Sequence, residues 1–266
     1  MNLHLTTLCA GILISGQVLA AKTELGQISV YDPMFGTKQI TYEKINHHAI
    51  AEGDIVLGDT RHLDKQGAVI LPKIYGGRWS NGVVPFTVDE TMPLINKVAI
   101  YQAIATWQKQ SNLEFIELNS KNRYNYKDYI DFVPAAGTEC SSEVGRVGGR
   151  QAINLAPRCN PMNTVHEIGH AIGLWHEQSR ADRAQYVRIV WENIEESHKH
   201  NFDQHLSDGK DFGEYDYESV MHYSEYSFSK NGQKTIIPLK EGVVIGQRDH
   251  LSEKDIVAVK AMYPEA

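Results

Sequence analysis

Residues 166–176 read His-Glu-Ile-Gly-His-Ala-Ile-Gly-Leu-Trp-His, an H-E-x-x-H-x-x-G-x-x-H string that restricts the possible folds more than any other part of the chain. His166 and His170 are four apart, so on a helix they share one face, one turn apart. From there both imidazoles reach a single zinc ion at about 2.0–2.1 Å. Glu167 is offset by one residue, which hangs its carboxylate beside the metal, where it can take a proton from an activated water. His176, six residues past His170, is poorly spaced for the same face. Gly173 resolves this, because a left-handed glycine ends the helix and turns the chain back toward the metal. Three neutral nitrogens with one open position describe a catalytic zinc, one per chain, rather than a structural one.

A chain of 266 residues is long enough for one catalytic domain with a sizeable core plus an N-terminal extra. A formal charge of −7 and the absence of basic runs argue against nucleic acid or an anionic membrane as partner. Leu3 to Leu19 is largely apolar and ends Val18-Leu19-Ala20-Ala21, so residues 1–21 read as a signal peptide. The apolar stretch is too short and too broken by Thr6, Thr7 and Ser15 to span a bilayer. A secreted or periplasmic destination follows. With Cys9 in that leader, Cys140 and Cys159 remain as a single possible pair, closing a loop of about twenty residues and contributing roughly 3 kcal/mol if bridged. Two unpaired small hydrophobes are the alternative. No C-x-x-C is present, so a thiolate zinc site is excluded.

Residues 22–70 carry few long apolar runs and several turn signals, so they bury little core of their own and must lie along something else. Strands are expected at 83–88, 113–118, 129–133 and 151–156. After Thr91 and Pro93, Leu94, Val98, Tyr101, Ala105 and Gln108 recur at helical spacing to about Gln110. Asn160-Pro161 opens the motif helix, which ends near Gly173, and Ser252 caps a last helix running through Met262. A short helix is expected near 194–205, and regularity otherwise drops after His176.

The zinc string continues as His176-Glu177-Gln178-Ser179-Arg180-Ala181-Asp182-Arg183, and Ser219-Val220-Met221-His222-Tyr223 follows further on. The long zinc motif with a downstream Met-turn marks a metzincin. Glu177 directly after the third histidine, and Tyr223 two residues after Met221, narrow the resemblance to the astacin family of zinc endopeptidases. Trp79, Val84-Pro85, Gly145-Arg146-Val147-Gly148, Tyr226-Ser227-Phe228 and Ile245-Gly246-Gln247-Arg248 extend it over residues 52–263.

That resemblance implies an α+β fold of two lobes about a deep cleft. A twisted five-stranded sheet with the zinc helix lies above, and an irregular lobe with the C-terminal helix lies below. It implies His166, His170 and His176 as zinc ligands, Glu167 as general base, and Tyr223 as a ligand that swings away to hydrogen-bond the oxyanion. Met221 becomes a hydrophobic floor, Glu177 the receiver of the new N-terminus, and Cys140–Cys159 the family's remaining disulfide. Arg248 matches a position lining the pocket just after the scissile bond, where a cation favours acidic side chains. A solvated or structural arginine is the alternative.

Glu52-Gly53-Asp54-Ile55 resembles the family's propeptide motif, in which an aspartate occupies the open zinc position; without that context a Gly-Asp pair is a turn. Counting back from Trp79 puts the mature N-terminus near Ile70, so the expected organisation is 1–21 signal peptide, 22–70 propeptide and 71–266 catalytic domain. Cysteines for a second family disulfide are missing, and Ala184 stands where an acidic residue is usual. The expectation is a minimal, monomeric, single-domain endopeptidase made as a latent zymogen, with protein or peptide substrates and a separate activating protease. Its rival is a catalytically silent zinc-containing peptide-binding protein. Residues 151–156 read as the edge strand that pairs with substrate backbone, or as an ordinary strand. His198, His200 and His205, with His47-His48, fit an exposed helix better than a second metal site, and His222 reads as structural.

Overall fold

The structure is a computed structural model, described for residues 23–32, 36–63, 77–206 and 209–265. The expected signal peptide (1–21) and the cut near Ile70 lie outside the described residues. No helix among the described residues is long and apolar enough to cross a membrane.

The N-terminal segment buries little core and lies along the rest of the molecule, as expected, but it is more regular than its turn signals suggest. It forms an antiparallel meander of β1 (Leu25–Asp32), β2 (Gly36–Ile45), β3 (His48–Ala51) and β4 (Ile55–Asp59), followed by a single helical turn, α1 (Thr60–Leu63). Alternating strands need only one apolar face, so a small core can be assembled without long apolar runs. That core is Ile28, Tyr42 and Ala49, with Ile40, Leu57 and Leu63 packed against it. Gly26 makes room for it: a Cβ there would lie 2.3 Å from Tyr42 Cζ.

The five strands expected of the C-terminal part are present as β5 (Val83–Val88), β6 (Glu114–Glu117), β7 (Tyr129–Pro134), β8 (Cys140–Ser142) and β9 (Arg150–Leu155). They lie in the order β8-β9-β7-β5-β6, parallel except for β8 against β9. β9 is thus an interior strand, and the edge facing the cleft is β8. The meander docks onto that edge through a parallel bridge from Ile55 to Ser142, making one nine-stranded sheet. A disulfide links Cys140 on β8 to Cys159, just ahead of the motif helix.

Two helices cover this sheet. α2 (Leu94–Gln110) buries Ala99, Ile100, Ala103, Ile104 and Trp107, while the row Leu94, Val98 and Tyr101 faces solvent. Each fully buried Ile or Trp of that face contributes roughly 1.5–3 kcal/mol over exposure. α3 (Pro161–Ala171) begins as its sequence predicts, with the Asn160 side chain accepting from Asn163 N at 2.9 Å and Pro161 at the first helical position. The two helices are bound by Trp107 Nε1 donating to Val165 O at 3.0 Å.

Below α3 regular structure thins to 3-10 turns and a two-stranded ladder of β10 (Val187–Ile189) and β11 (Ile236–Pro238). This lobe has its own core of Ile194, Phe202, Tyr215 and Ile236. α4 (Glu253–Met262) closes the chain, capped by Ser252 as expected. The short helix expected at 194–205 is a 3-10 run over Glu196–Phe202.

Candidate active site

α3 places His166 and His170 on one face, and the helix stops where its glycine predicts. Gly173 has φ +109, its N–H donating to His170 O at 2.8 Å, and the reversed chain delivers His176 to the same point. Each imidazole turns Nε2 inward and uses Nδ1 as an anchor. His166 Nδ1 pairs with Val220 O at 2.8 Å and His170 Nδ1 with Leu174 O at 2.9 Å. His176 Nδ1 pairs with the Glu52 carboxylate at 2.9 Å.

The fourth member comes from the N-terminal segment. Asp54 lies in the turn before β4, its carbonyl accepting from Ser142 N at 2.9 Å. Its carboxylate is 3.2 Å from His166 Nε2, 3.2 Å from His176 Nε2 and 3.6 Å from His170 Nε2. His166 Nε2 and His176 Nε2 are 3.3 Å apart. A tetrahedral zinc with bonds of about 2.0–2.1 Å requires donor–donor edges of about 3.3–3.4 Å. His170 Nε2 and Asp54 Oδ1 are moreover buried without a hydrogen-bond partner. Three imidazoles and a carboxylate at tetrahedral-edge spacing, with orphaned atoms pointing inward, fit zinc.

The charges at this point act strongly on one another: although burial would lower the His176 imidazole, the Asp54 and Glu52 carboxylates push it up to about 9, so a metal ion there would have to displace a proton. Burial drives the His166 imidazole down to about 3, so it is neutral and able to ligate. Burial alone would raise the Asp54 carboxyl, but the facing imidazoles, His176 foremost, hold it well below the usual carboxylate range. Glu167 is buried beside them with Oε2 unpaired, and burial and then the Asp54 charge push its carboxyl well above the ordinary range. A carboxyl with raised proton affinity next to a metal position is suited to proton transfer.

The remaining expected residues surround this centre. Met221 packs under the helix so closely that a Cβ on Gly169 would lie 2.7 Å from its Sδ. Tyr223 is not among the inward-facing donors: its hydroxyl donates to the backbone carbonyl of Glu52, and burial keeps the phenol protonated. His222 is buried against the Tyr215 hydroxyl and Tyr223 O, a structural placement. Arg248 donates to His222 O at 3.1 Å and lines a cavity of about 450 Å³ together with His166, Glu167 and Asp54. Glu177 accepts from Asp216 N at 2.7 Å and lines a second cavity of about 500 Å³ on the far side of His176. Burial pushes its carboxyl up to about 8, against the opposing pull of Arg180.

Several partners are invisible to motif reading. Glu52, the residue before Gly53, accepts from His176, from Ser179 Oγ at 2.9 Å and from His205 Nε2. Glu43 on β2 accepts from His198 Nδ1 at 2.7 Å and Asn201 Nδ2 at 3.0 Å. His198 and His205 therefore do not belong to an exposed helix: they receive carboxylates from the N-terminal meander. These pairs span more than a hundred and fifty residues, and only the proximity of Glu52 to Asp54 signals one of them.

Comparison with known proteins agrees with this geometry. The profile of the Astacin peptidase family matches residues 73–264. Zinc metalloproteinase nas-13 of Caenorhabditis elegans is 39% identical over 189 residues, covering 70% of this chain and 41% of that protein. Low choriolytic enzyme of Oryzias latipes is 34% identical over 226 residues, covering 80% of this chain and 78% of that one. The chain spans about half the length of some curated relatives, such as the mouse astacin-like metalloendopeptidase at 52%. Among solved structures, high choriolytic enzyme 1, a hatching enzyme zinc-protease of Oryzias latipes, superposes with a TM-score of 0.63 at 31% identity, covering 74% of this chain and 98% of that one. A metal centre built on α3 and a matching profile over most of its length thus agree, and the chain belongs to the astacin family of zinc metalloproteinases.

Proposed function

We propose that this protein is a zinc-dependent endopeptidase held latent by its own N-terminal segment. The observation that carries the reading is the Asp54 carboxylate within 3.2–3.6 Å of all three histidine Nε2 atoms, in the position a substrate carbonyl or water would need. Zinc, when bound, supplies a Lewis acid that polarises the scissile carbonyl and makes water acidic enough to attack near neutral pH. His166, His170 and His176 hold it. Glu167 accepts the proton of the attacking water and passes it to the departing amine nitrogen. Tyr223, released from Glu52 O when the segment leaves, donates to the carbonyl oxygen as that atom gains charge, an interaction worth on the order of 3 kcal/mol. Arg248 at the cavity wall beside Glu167 favours acidic residues on the primed side of the cut.

On this reading, residues 1–21 direct export and a separate protease cuts near Ile70. The new N-terminus then enters the cavity at Glu177. Export accords with the apolar leader, and the freed β8 edge becomes available to an extended substrate.

Casein hydrolysis by protein freed of residues before about Ile70, with and without a chelator, tests the activity. Glu167→Gln is expected to abolish hydrolysis while retaining one zinc per chain. Full hydrolysis by that variant, or by chelated enzyme, would overturn the metal-dependent assignment, and no hydrolysis by the freed wild-type protein would favour a silent peptide binder. For latency, Asp54→Ala precursor should cleave casein where the wild-type precursor does not, and equal rates would remove the switch.

A further inference from the structure

The three ligand histidines are not anchored alike. His166 and His170 give Nδ1 to the backbone carbonyls of Val220 and Leu174, which belong to the catalytic lobes and stay with them. His176 gives Nδ1 to a side-chain carboxylate, Glu52, on the segment that activation removes. Glu52 is itself fixed from several directions. Its other contacts are Ser179 Oγ at 2.9 Å and His205 Nε2, and its carbonyl accepts the Tyr223 hydroxyl.

The backbone at this point is strained in a way that needs a reason. Glu52 has φ +48, the left-handed region that favours glycine, and sits directly before Gly53 at φ +77. Gly53 is favoured by its positive φ, and a Cβ there would lie 2.6 Å from Phe228 Cζ, so that ring would have to shift. Glycine would suit position 52 equally well for the backbone alone. A glutamate held there at a cost of about 1 kcal/mol or more is retained by what its side chain does.

We propose that Glu52 is a positioning residue of the metal site, which makes the N-terminal segment a device for loading and retaining zinc as well as for blocking the cleft. With Glu52 accepting from Nδ1, His176 is fixed in the tautomer that presents Nε2, and the adjacent negative charge makes it a stronger donor. Removal of the segment then has two effects at the metal. Asp54 leaves the open position, and one of the three ligands loses its anionic partner. The precursor is therefore the form that acquires and keeps the metal, and the mature enzyme holds it less tightly than the loss of Asp54 alone accounts for.

The inference rests on the zinc-site reading above and is tested apart from it. Full-length protein loaded with zinc is mixed with a chromophoric chelator, and the release rate is followed for wild type, Asp54→Ala, and Asp54→Ala combined with Glu52→Ala or Glu52→Gln. Partners one step out from a metal typically change affinity 10–100-fold. Glu52→Ala is expected to speed release by that factor in the Asp54→Ala background. Glu52→Gln, which keeps an acceptor but not the charge, should fall between. If the alanine variant fails to fold by circular dichroism, the glutamine variant decides alone. Cobalt-substituted protein adds a second readout, since a lost anionic partner shifts the visible ligand-field bands whereas a merely structural role does not. Release rates and bands unchanged by either substitution would overturn the role of Glu52 while leaving the zinc site standing. Failure of the wild-type chain to bind one zinc would instead overturn the site itself.

Discussion

Glu167 is a buried carboxylate and Glu143 a half-buried one, each with a buried oxygen lacking a hydrogen bond, and their settings give them different consequences. Glu167 borders the cavity beside the three histidines, where a raised proton affinity suits the proton transfer proposed for it. Glu143 lies just beyond β8, and burial lifts its carboxyl to about 7, opposed only by Arg150. A folded-state value above the ordinary 4.5 means that the native protein binds this proton more tightly than the unfolded chain. The contribution is present below about pH 4.5 and is lost as pH rises through 7. Glu143→Gln, which cannot ionise, is expected to leave Tm unchanged near pH 4 and raise it near pH 8. An equal shift at both pH values would show that packing, not ionisation, governs the site. Residues of this kind were partly legible in the sequence. The histidine string and Glu167 carry their geometry in their own spacing, whereas Glu143 and Glu52 acquire theirs from strands that the sequence order does not bring together.

At the level of elements, the meander is fastened to the lower lobe by carboxylates on β2 and in the β3–β4 turn. Glu43 faces His198, His200 and Asn201 of the 3-10 run, with Glu195 flanking His198 on its other side. Although burial would raise the Glu43 carboxyl, its bonds to His198 and Asn201 lower it, and Glu43 raises His198 in return. The His198 contribution is fully present below about 6.5 and lost as pH climbs through its raised value. The Glu43 contribution is fully present above about 4.5 and lost as pH falls through its lowered value. The clasp is thus strongest between those limits. Glu43→Gln should destabilise the full-length protein by about 1.5–3 kcal/mol in that window, the range for a hydrogen bond to a charged group. Urea unfolding at pH 5.5 and pH 9 measures it: the deficit shrinks at the higher pH, and a constant deficit would exclude the ion pair as its cause. Element type was readable where periodicity was strong, as in α2, α3 and α4. The buried face of α2 was not, because apolar residues ring the helix and packing against α3 chose Ile100, Ile104 and Trp107 over Leu94, Val98 and Tyr101.

On the scale of the whole molecule, the family resemblance implied two lobes and a five-stranded sheet but not its continuation to nine strands. The meander's strands alternate over few apolar residues, and their partner strand lies some eighty residues further on, beyond any local pattern. That continuation joins β4 to β8 through a single bridged pair, Ile55 with Ser142. The segment is consequently held by side chains far more than by backbone, and a cut between Leu63 and Gly77 severs a tether without undoing those contacts. Under the proposed latency, hydrolysis of the connecting bond and departure of the meander would be separate events, the first set by whatever protease cuts there and the second by mass action. A nicked preparation should gain activity per molecule on dilution from micromolar to nanomolar protein, and constant specific activity would show that the piece leaves as soon as it is cut. Wherever such a protein accumulates, crowding its own discarded piece around it would keep it quiet, and spreading into a larger volume would be the signal that turns it on.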